Sequence, residues 1–85
     1  MADALRDRIR TFVLENFLFT DDKSAVGLDD SLLERGIVDS TGMLAIISFI
    51  EDDLGVRMSD DEMIPENLDS IYRIAQFVES KAQTA

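Results

Sequence analysis

Apolar residues recur along this chain at the three- and four-residue spacing of a helix, in three separate runs. In the first, Leu5, Ile9, Phe12, Val13 and Phe17 make one stripe, while Arg6, Asp7, Arg8, Arg10 and Glu15 fall mostly on the wet side. The spacing predicts a helix over residues 3–17, with Asp3 placed to cap it. In the second, Met43, Ile46, Ile47, Ile50 and Leu54 share a face, and Leu44 and Phe49 lie off it. That helix is expected to start at Asp39 or Ser40 and run to Leu54, where Gly55 ends it. In the third, Ile71, Ile74, Ala75 and Val78 form the inner stripe, supported by Phe77, over residues 70–81. Asp69 is the expected cap, Lys81 suits the C-terminal end, and residues 82–85 are expected to fray.

Between these runs the pattern changes. Over residues 18–38 the periodicity fails, and Thr20, Asp21, Asp22, Lys23, Ser24 and Gly27 read as loop. A connection this long in a small domain marks a working loop or a short element hidden within it. Leu28, Leu32, Leu33, Ile37 and Val38 are expected to tie it down by packing inward, and residues 30–35 to form a turn of helix ended by Gly36. Residues 56–58 read as extended or irregular, residues 59–62 as an acidic stretch, and Pro65-Glu66-Asn67 as one short helical turn, since Pro is tolerated at a helix start. No period-two alternation is long enough for a sheet. The expected fold is therefore all-α: a small four-helix bundle in one domain over residues 1–85, with three long helices, a short third one and a long first loop.

Composition narrows the function classes. Hydrophobic residues make up 46% of the 85, too many for a disordered tail. Eighteen acidic residues against eight basic ones give a net charge of −10. A phosphate backbone would repel such a surface, and so would an anionic membrane, so nucleic acid is not an expected partner. The longest apolar stretch, residues 43–50, is interrupted by Ser48 and falls well short of a membrane span. Partners with basic patches fit the charge, and the chain is expected to work as a monomer. With no Cys and no His, disulfides, thiol nucleophiles, the usual zinc ligands and a Ser–His–Asp triad are all excluded. The chain is thus read as non-catalytic. Its first residues lack a charged region followed by an apolar run, so no signal peptide is expected and the cytoplasm is the expected location.

The segment that carries chemistry is Gly36-Ile37-Val38-Asp39-Ser40-Thr41-Gly42-Met43, where an apolar loop meets the start of the central helix. The Ser40 hydroxyl can cap that helix. A phosphate attached there would meet free backbone N–H groups and the positive end of the helix dipole. Ser is a favoured N-cap in any protein, so a plain cap stays open as the reading of this position. Asp39 beside it could bind a metal ion brought by a modifying enzyme. Glu51, Asp52 and Asp53 oppose the dipole at the helix end at ~0.3–1 kcal/mol each, a choice that points to binding. Calcium binding of EF-hand type fails, because the loop from Asp22 has Val26 and Leu33 where oxygen ligands are needed.

Gly36-Ile37-Val38-Asp39-Ser40, opening a helix that closes in Glu51-Asp52-Asp53-Leu54-Gly55-Val56, resembles an acyl carrier protein. The resemblance continues through the acidic stretch, Pro65-Glu66-Asn67 and the closing helix with Ile71, Ile74 and Phe77, and covers essentially the whole chain. It implies a bundle of acyl-carrier type. It also implies that Ser40 receives 4′-phosphopantetheine as a phosphodiester, with Asp39 in support, and that the arm's thiol carries an acyl, aminoacyl or polyketide group as a thioester. The implied partners are a phosphopantetheinyl transferase, an acyl- or aminoacyl-loading ligase, and downstream synthases or transferases with basic patches. The second helix would be the recognition surface, presenting Thr41, Leu44, Ala45, Ser48, Glu51 and Asp52, while Met43, Ile46, Ile47 and Ile50 would flank a sequestered acyl chain or simply be core. Two departures separate this chain from the usual pattern. Thr41 and Gly42 follow Ser40 in place of Leu and an acid, and Ala45 stands where fatty-acid carriers often have an acid. Gly42 costs roughly 1 kcal/mol in a helix relative to Ala, and is expected to loosen the first turn or admit a partner. Both departures favour a specialised carrier over a housekeeping one. The competing reading is an unmodified acidic adaptor in which Ser40 is only a cap.

Overall fold

The first apolar stripe does form a helix, but it changes pitch before it ends. In the computed structural model, which describes residues 2–84, α1 runs over Ala2–Val13 and continues as a single wide turn of π-helix over Leu14–Leu18. Asp3 lies inside the first turn rather than ahead of it. The wide turn keeps Leu14 in the core beside Ile9 and Val13. It closes on Phe19, whose backbone is left-handed (φ 54°, ψ 45°) and whose N–H donates to the Leu14 carbonyl.

α2 covers Ser40–Asp52, two residues shorter than the spacing predicts, with Asp53 as C-cap and Gly55 at φ 70° beyond it. It buries Ile46, Ile47, Phe49 and Ile50, an arc of roughly 160° at 3.6 residues per turn. Phe49, off the expected face, is therefore core. Its ring stacks on Phe12 with centroids 4.2 Å apart, and Phe12 in turn meets Phe17 edge-on at 6.0 Å.

α3 is the short turn Pro65–Leu68, with Pro at its first position. α4 runs over Ile71–Thr84 and packs along α1, burying Ile71, Ile74, Ala75 and Val78. The fraying expected from residue 82 does not interrupt the helix backbone through Thr84, and residue 85 lies outside the described residues. The expected cap moves by one residue: the Ser70 hydroxyl accepts the Arg73 N–H at 3.1 Å, and Ser70 itself is buried. Asp69 is used elsewhere. Its carboxylate accepts the Ser31 hydroxyl at 2.7 Å and the Leu33 N–H at 3.0 Å, and its carbonyl accepts the Leu32 N–H at 2.8 Å. One residue at the α3–α4 junction thus pins the long loop.

That loop contains a short 3-10 turn, Lys23–Ala25, capped by the Asp22 carboxylate. Val26, Leu32 and Val38 are buried, Leu28 and Ile37 pack against the core, and Leu33 stays half-exposed. Residues 30–35 make hydrogen-bonded turns, not a helix, ending at Gly36 with φ 70°. The acidic stretch is also more than a solvated face. Asp60–Glu62 forms a 3-10 turn in which Glu62 accepts the Ser59 N–H at 2.9 Å and pairs with Lys81 of α4 at 3.0 Å. The described residues contain helices and turns but no strand. The radius of gyration, 11.8 Å, matches the ~12 Å of a compact chain of this length.

Candidate functional site

The start of α2 divides its work between two neighbours. Asp39 has extended backbone (φ −106°, ψ −173°) and is the N-cap: its Oδ1 accepts the Gly42 N–H at 2.7 Å and its carbonyl accepts the Met43 N–H at 2.9 Å. Ser40 is the first helical residue. The cap expected of its hydroxyl is therefore made by Asp39, because the extended residue, not the helical one after it, can fold its side chain back onto the third amide. Ser40 is exposed, and among the described residues its hydroxyl has no hydrogen-bond partner. The amides of Ser40 and Thr41, being the first two of the helix, have no intrahelical acceptor.

Gly42 has a structural reason to be Gly. A β-carbon there would lie 2.9 Å from Cε1 of Phe17, 3.1 Å from Cγ1 of Val38 and 3.3 Å from Oδ1 of Asp39. The space expected to loosen the turn or admit a partner is filled by the chain's own Phe17 ring. The end of the π turn and the first turn of α2 are thereby locked together.

Ser40 stands at the edge of an apolar cleft of about 310 Å³. One wall is Met43, Leu44 and Ile47 of α2, the other is Met63, Ile64, Pro65 and Leu68 around α3, and Leu33 of the long loop closes one side. Two of the lining residues are Met, whose flexible thioethers adapt to varied apolar shapes. Of the residues expected to flank a sequestered chain, Met43 and Ile47 line this cleft, whereas Ile46 and Ile50 are buried in the core and do not. All six residues expected on the outward face are exposed: Thr41, Leu44, Ala45, Ser48, Glu51 and Asp52. Leu44, 63% exposed, belongs to both the outer face and the cleft rim.

The acids at the end of α2 are partly accounted for within the fold. Glu51 accepts the Met58 N–H at 3.2 Å and so holds the segment after the helix. Arg8 donates to the Asp53 carbonyl at 3.4 Å, placing a cation at the negative end of the dipole. Only Asp52 and the Asp53 side chain remain as acids without a described intramolecular bond.

Sequence spacing missed Leu33, Met63, Ile64, Pro65 and Leu68 as cleft residues, since they come from segments without periodicity. The available signal was the number of apolar residues in non-periodic segments, of which Leu33 and Ile64 stay exposed. The same signal marks Phe19: the run Phe17-Leu18-Phe19 cannot turn all three side chains inward, and Phe19 is 83% exposed. No helix among the described residues is long and apolar enough to cross a membrane. Compared with known proteins, the sequence matches no family model and no curated protein.

Proposed function

We propose that this chain is a carrier protein of acyl-carrier type, in which Ser40 bears a 4′-phosphopantetheine arm and the bundle presents the arm's cargo to partner enzymes in the cytoplasm. The arm supplies a thiol, absent from a chain without Cys, on which an acyl, aminoacyl or polyketide group is held as a thioester. One observation carries the reading: the Ser40 hydroxyl is exposed and unbonded on the first turn of α2, at the edge of an apolar cleft. A phosphodiester on that oxygen would stand beside the free Ser40 and Thr41 amides and the positive helix end. Asp39 already closes the helix, so the hydroxyl is available for esterification. The cleft gives an apolar portion of cargo a place to leave water, and the exposed Thr41, Ala45, Ser48, Glu51 and Asp52 give an enzyme with a basic patch a surface to read. The exposed Thr41 and Ala45 favour a specialised carrier, served by its own loading ligase and acting as a monomer.

Incubation with coenzyme A, Mg²⁺ and a phosphopantetheinyl transferase, followed by intact-mass measurement, tests this. The expected result is a gain of one phosphopantetheine, lost in Ser40→Ala. No gain with several transferases would sink the carrier reading and leave the acidic adaptor.

A further inference from the structure

We infer that, on the unmodified chain, the mouth of the cleft beside Ser40 is a docking site for a partner protein, taking two large apolar side chains from a segment that also carries Lys or Arg. The inference needs no arm or cargo, so it does not rest on the carrier reading. Among the described residues five large apolar side chains stand exposed, and three of them, Leu33, Leu44 and Ile64, lie on this one cleft. Scattered apolar residues are ordinary on a surface, but a cluster of them around a concavity marks an interaction site. The three come from the long loop, from α2 and from the residue ahead of α3, so tertiary structure makes the patch. A small ligand inside the cleft would cover its walls and leave the outer side of Leu44, the most exposed of the three, in water. A protein surface covers walls and rim together. An apolar cavity of about 150 Å³ holds a benzene ring, so a cleft of about 310 Å³ has room for two large side chains. Met43 and Met63 in its walls can adjust to their shape.

Charge specifies the partner. Every charged residue that adjoins a cleft residue in sequence is acidic: Glu34, Asp39, Glu62, Glu66 and Asp69. Of these, Glu34, Asp39 and Glu66 are exposed. Arg35, Lys81 and Arg73 approach this frame but are engaged within the fold. Arg35 pairs with Asp30 at 2.6 Å, Lys81 pairs with Glu62 at 3.0 Å, and Arg73 donates to the Glu66 carbonyl at 3.1 Å. An apolar patch framed by surplus carboxylates complements apolar side chains flanked by cations. A second copy of this chain does not fit. A two-fold dimer would set the patch against itself, and with it the same carboxylates on two chains of charge −10. An anionic membrane is repelled for the same reason.

The experiment titrates the unmodified protein into fluorescent helical peptides and reads anisotropy. One peptide carries two Leu a turn apart, flanked by Lys on an Ala background. A second has Ala for both Leu at the same charge, and a third keeps both Leu but has Glu for Lys. The expected result is that the first binds at least about tenfold tighter than either of the others, as burial of two Leu side chains allows. Its advantage over the second should vanish in Leu44→Gln with Ile64→Gln. It should persist in Phe19→Asn, which removes an exposed ring that is not part of the cleft and keeps the left-handed backbone there. Leu44→Gln alone, at a side chain already 63% exposed, should lose part of the advantage and serves if the double variant is unstable. No binding, equal binding of the first two peptides, or an advantage that survives in the Leu44 variants overturns the inference. So does a wild-type dimer that Leu44→Gln dissociates, which would assign the patch to a second copy. None of these outcomes bears on the mass gain at Ser40, so the carrier reading stands or falls separately.

Discussion

Phe17 lies so close to Gly42 that a β-carbon on the glycine would sit 2.9 Å from its ring edge. Ala in place of Gly gains about 1 kcal/mol of helix propensity, but overpacking against a ring that is itself fixed on Phe12 costs about 1–3 kcal/mol. Gly42→Ala is therefore expected to destabilise the bundle by about 1 kcal/mol. In a Phe17→Ala background the 2.9 Å contact is gone and only the tight approaches to Val38 and Asp39 remain, so the same substitution should be neutral or stabilise by up to about 1 kcal/mol. Denaturant unfolding of the four proteins of this cycle checks the loss of the penalty; equal effects in both backgrounds would show that the ring does not dictate the glycine.

Asp39→Ala should cost about 1 kcal/mol through loss of the cap, a fall in melting temperature of about 4–8 °C for a domain of this size. Ser40→Ala should leave the melting temperature within a degree or two, since its hydroxyl caps nothing. Thermal scans of both variants settle which residue holds the helix end, and the reverse order would return the capping role to the serine.

Asp69→Ala removes a carboxylate that accepts two bonds from the long loop and should cost about 2–3 kcal/mol, reduced from the sum of two charged bonds by its partial exposure. Amide exchange at Leu33 should accelerate at the same time, because its acceptor is lost. A loop whose exchange is indifferent to this substitution would not be held by Asp69.

Among the described residues, three carboxylates titrate below their ordinary range. Asp22 is lowered mainly by the Ser24 hydroxyl, Asp30 mainly by the Gly27 N–H, and Glu62 mainly by the Ser59 N–H with Lys81 second. A carboxyl group with a depressed folded-state pKa contributes stability above its unfolded pKa and loses it as pH falls through the folded value. Asp30→Asn and Glu62→Gln should therefore lie below the wild type in melting temperature at pH 7, and the gap should close as pH drops below about 4. Measuring the gap separates these bonds from the general relief of repulsion that acid brings to a chain of charge −10. A gap constant down to the most acidic buffers would deny these carboxylates their partners.

The long periodic segments were legible because one hydrophobic stripe suffices to place a helix: Ile9, Val13, Ile46, Ile50, Ile71 and Ile74 all reach the core. The helix ends were less so, since Asp39 and Ser40, or Asp69 and Ser70, are pairs of good caps: the extended backbone of Asp39 decides the first, and the second goes to Ser70 while the Asp69 carboxylate holds the long loop. Phe49 was misplaced because α2 packs on more than one neighbour and buries a wider arc than a single stripe. The cleft was illegible for a different reason. Half of it comes from residues 63–68 and Leu33, which have no period, and their approach to α2 is a tertiary fact. Gly42 was visible as an anomaly, but the ring that requires it is twenty-five positions earlier in the chain.

The separation of duties at the head of α2 reaches beyond helix geometry. Because the carboxylate at position 39 seals the helix, a bulky or charged substituent on the neighbouring oxygen breaks no bond that the fold relies on. On the carrier reading, modified and unmodified forms would share one backbone scaffold, and a phosphate beside the free first amides would add to stability rather than subtract from it.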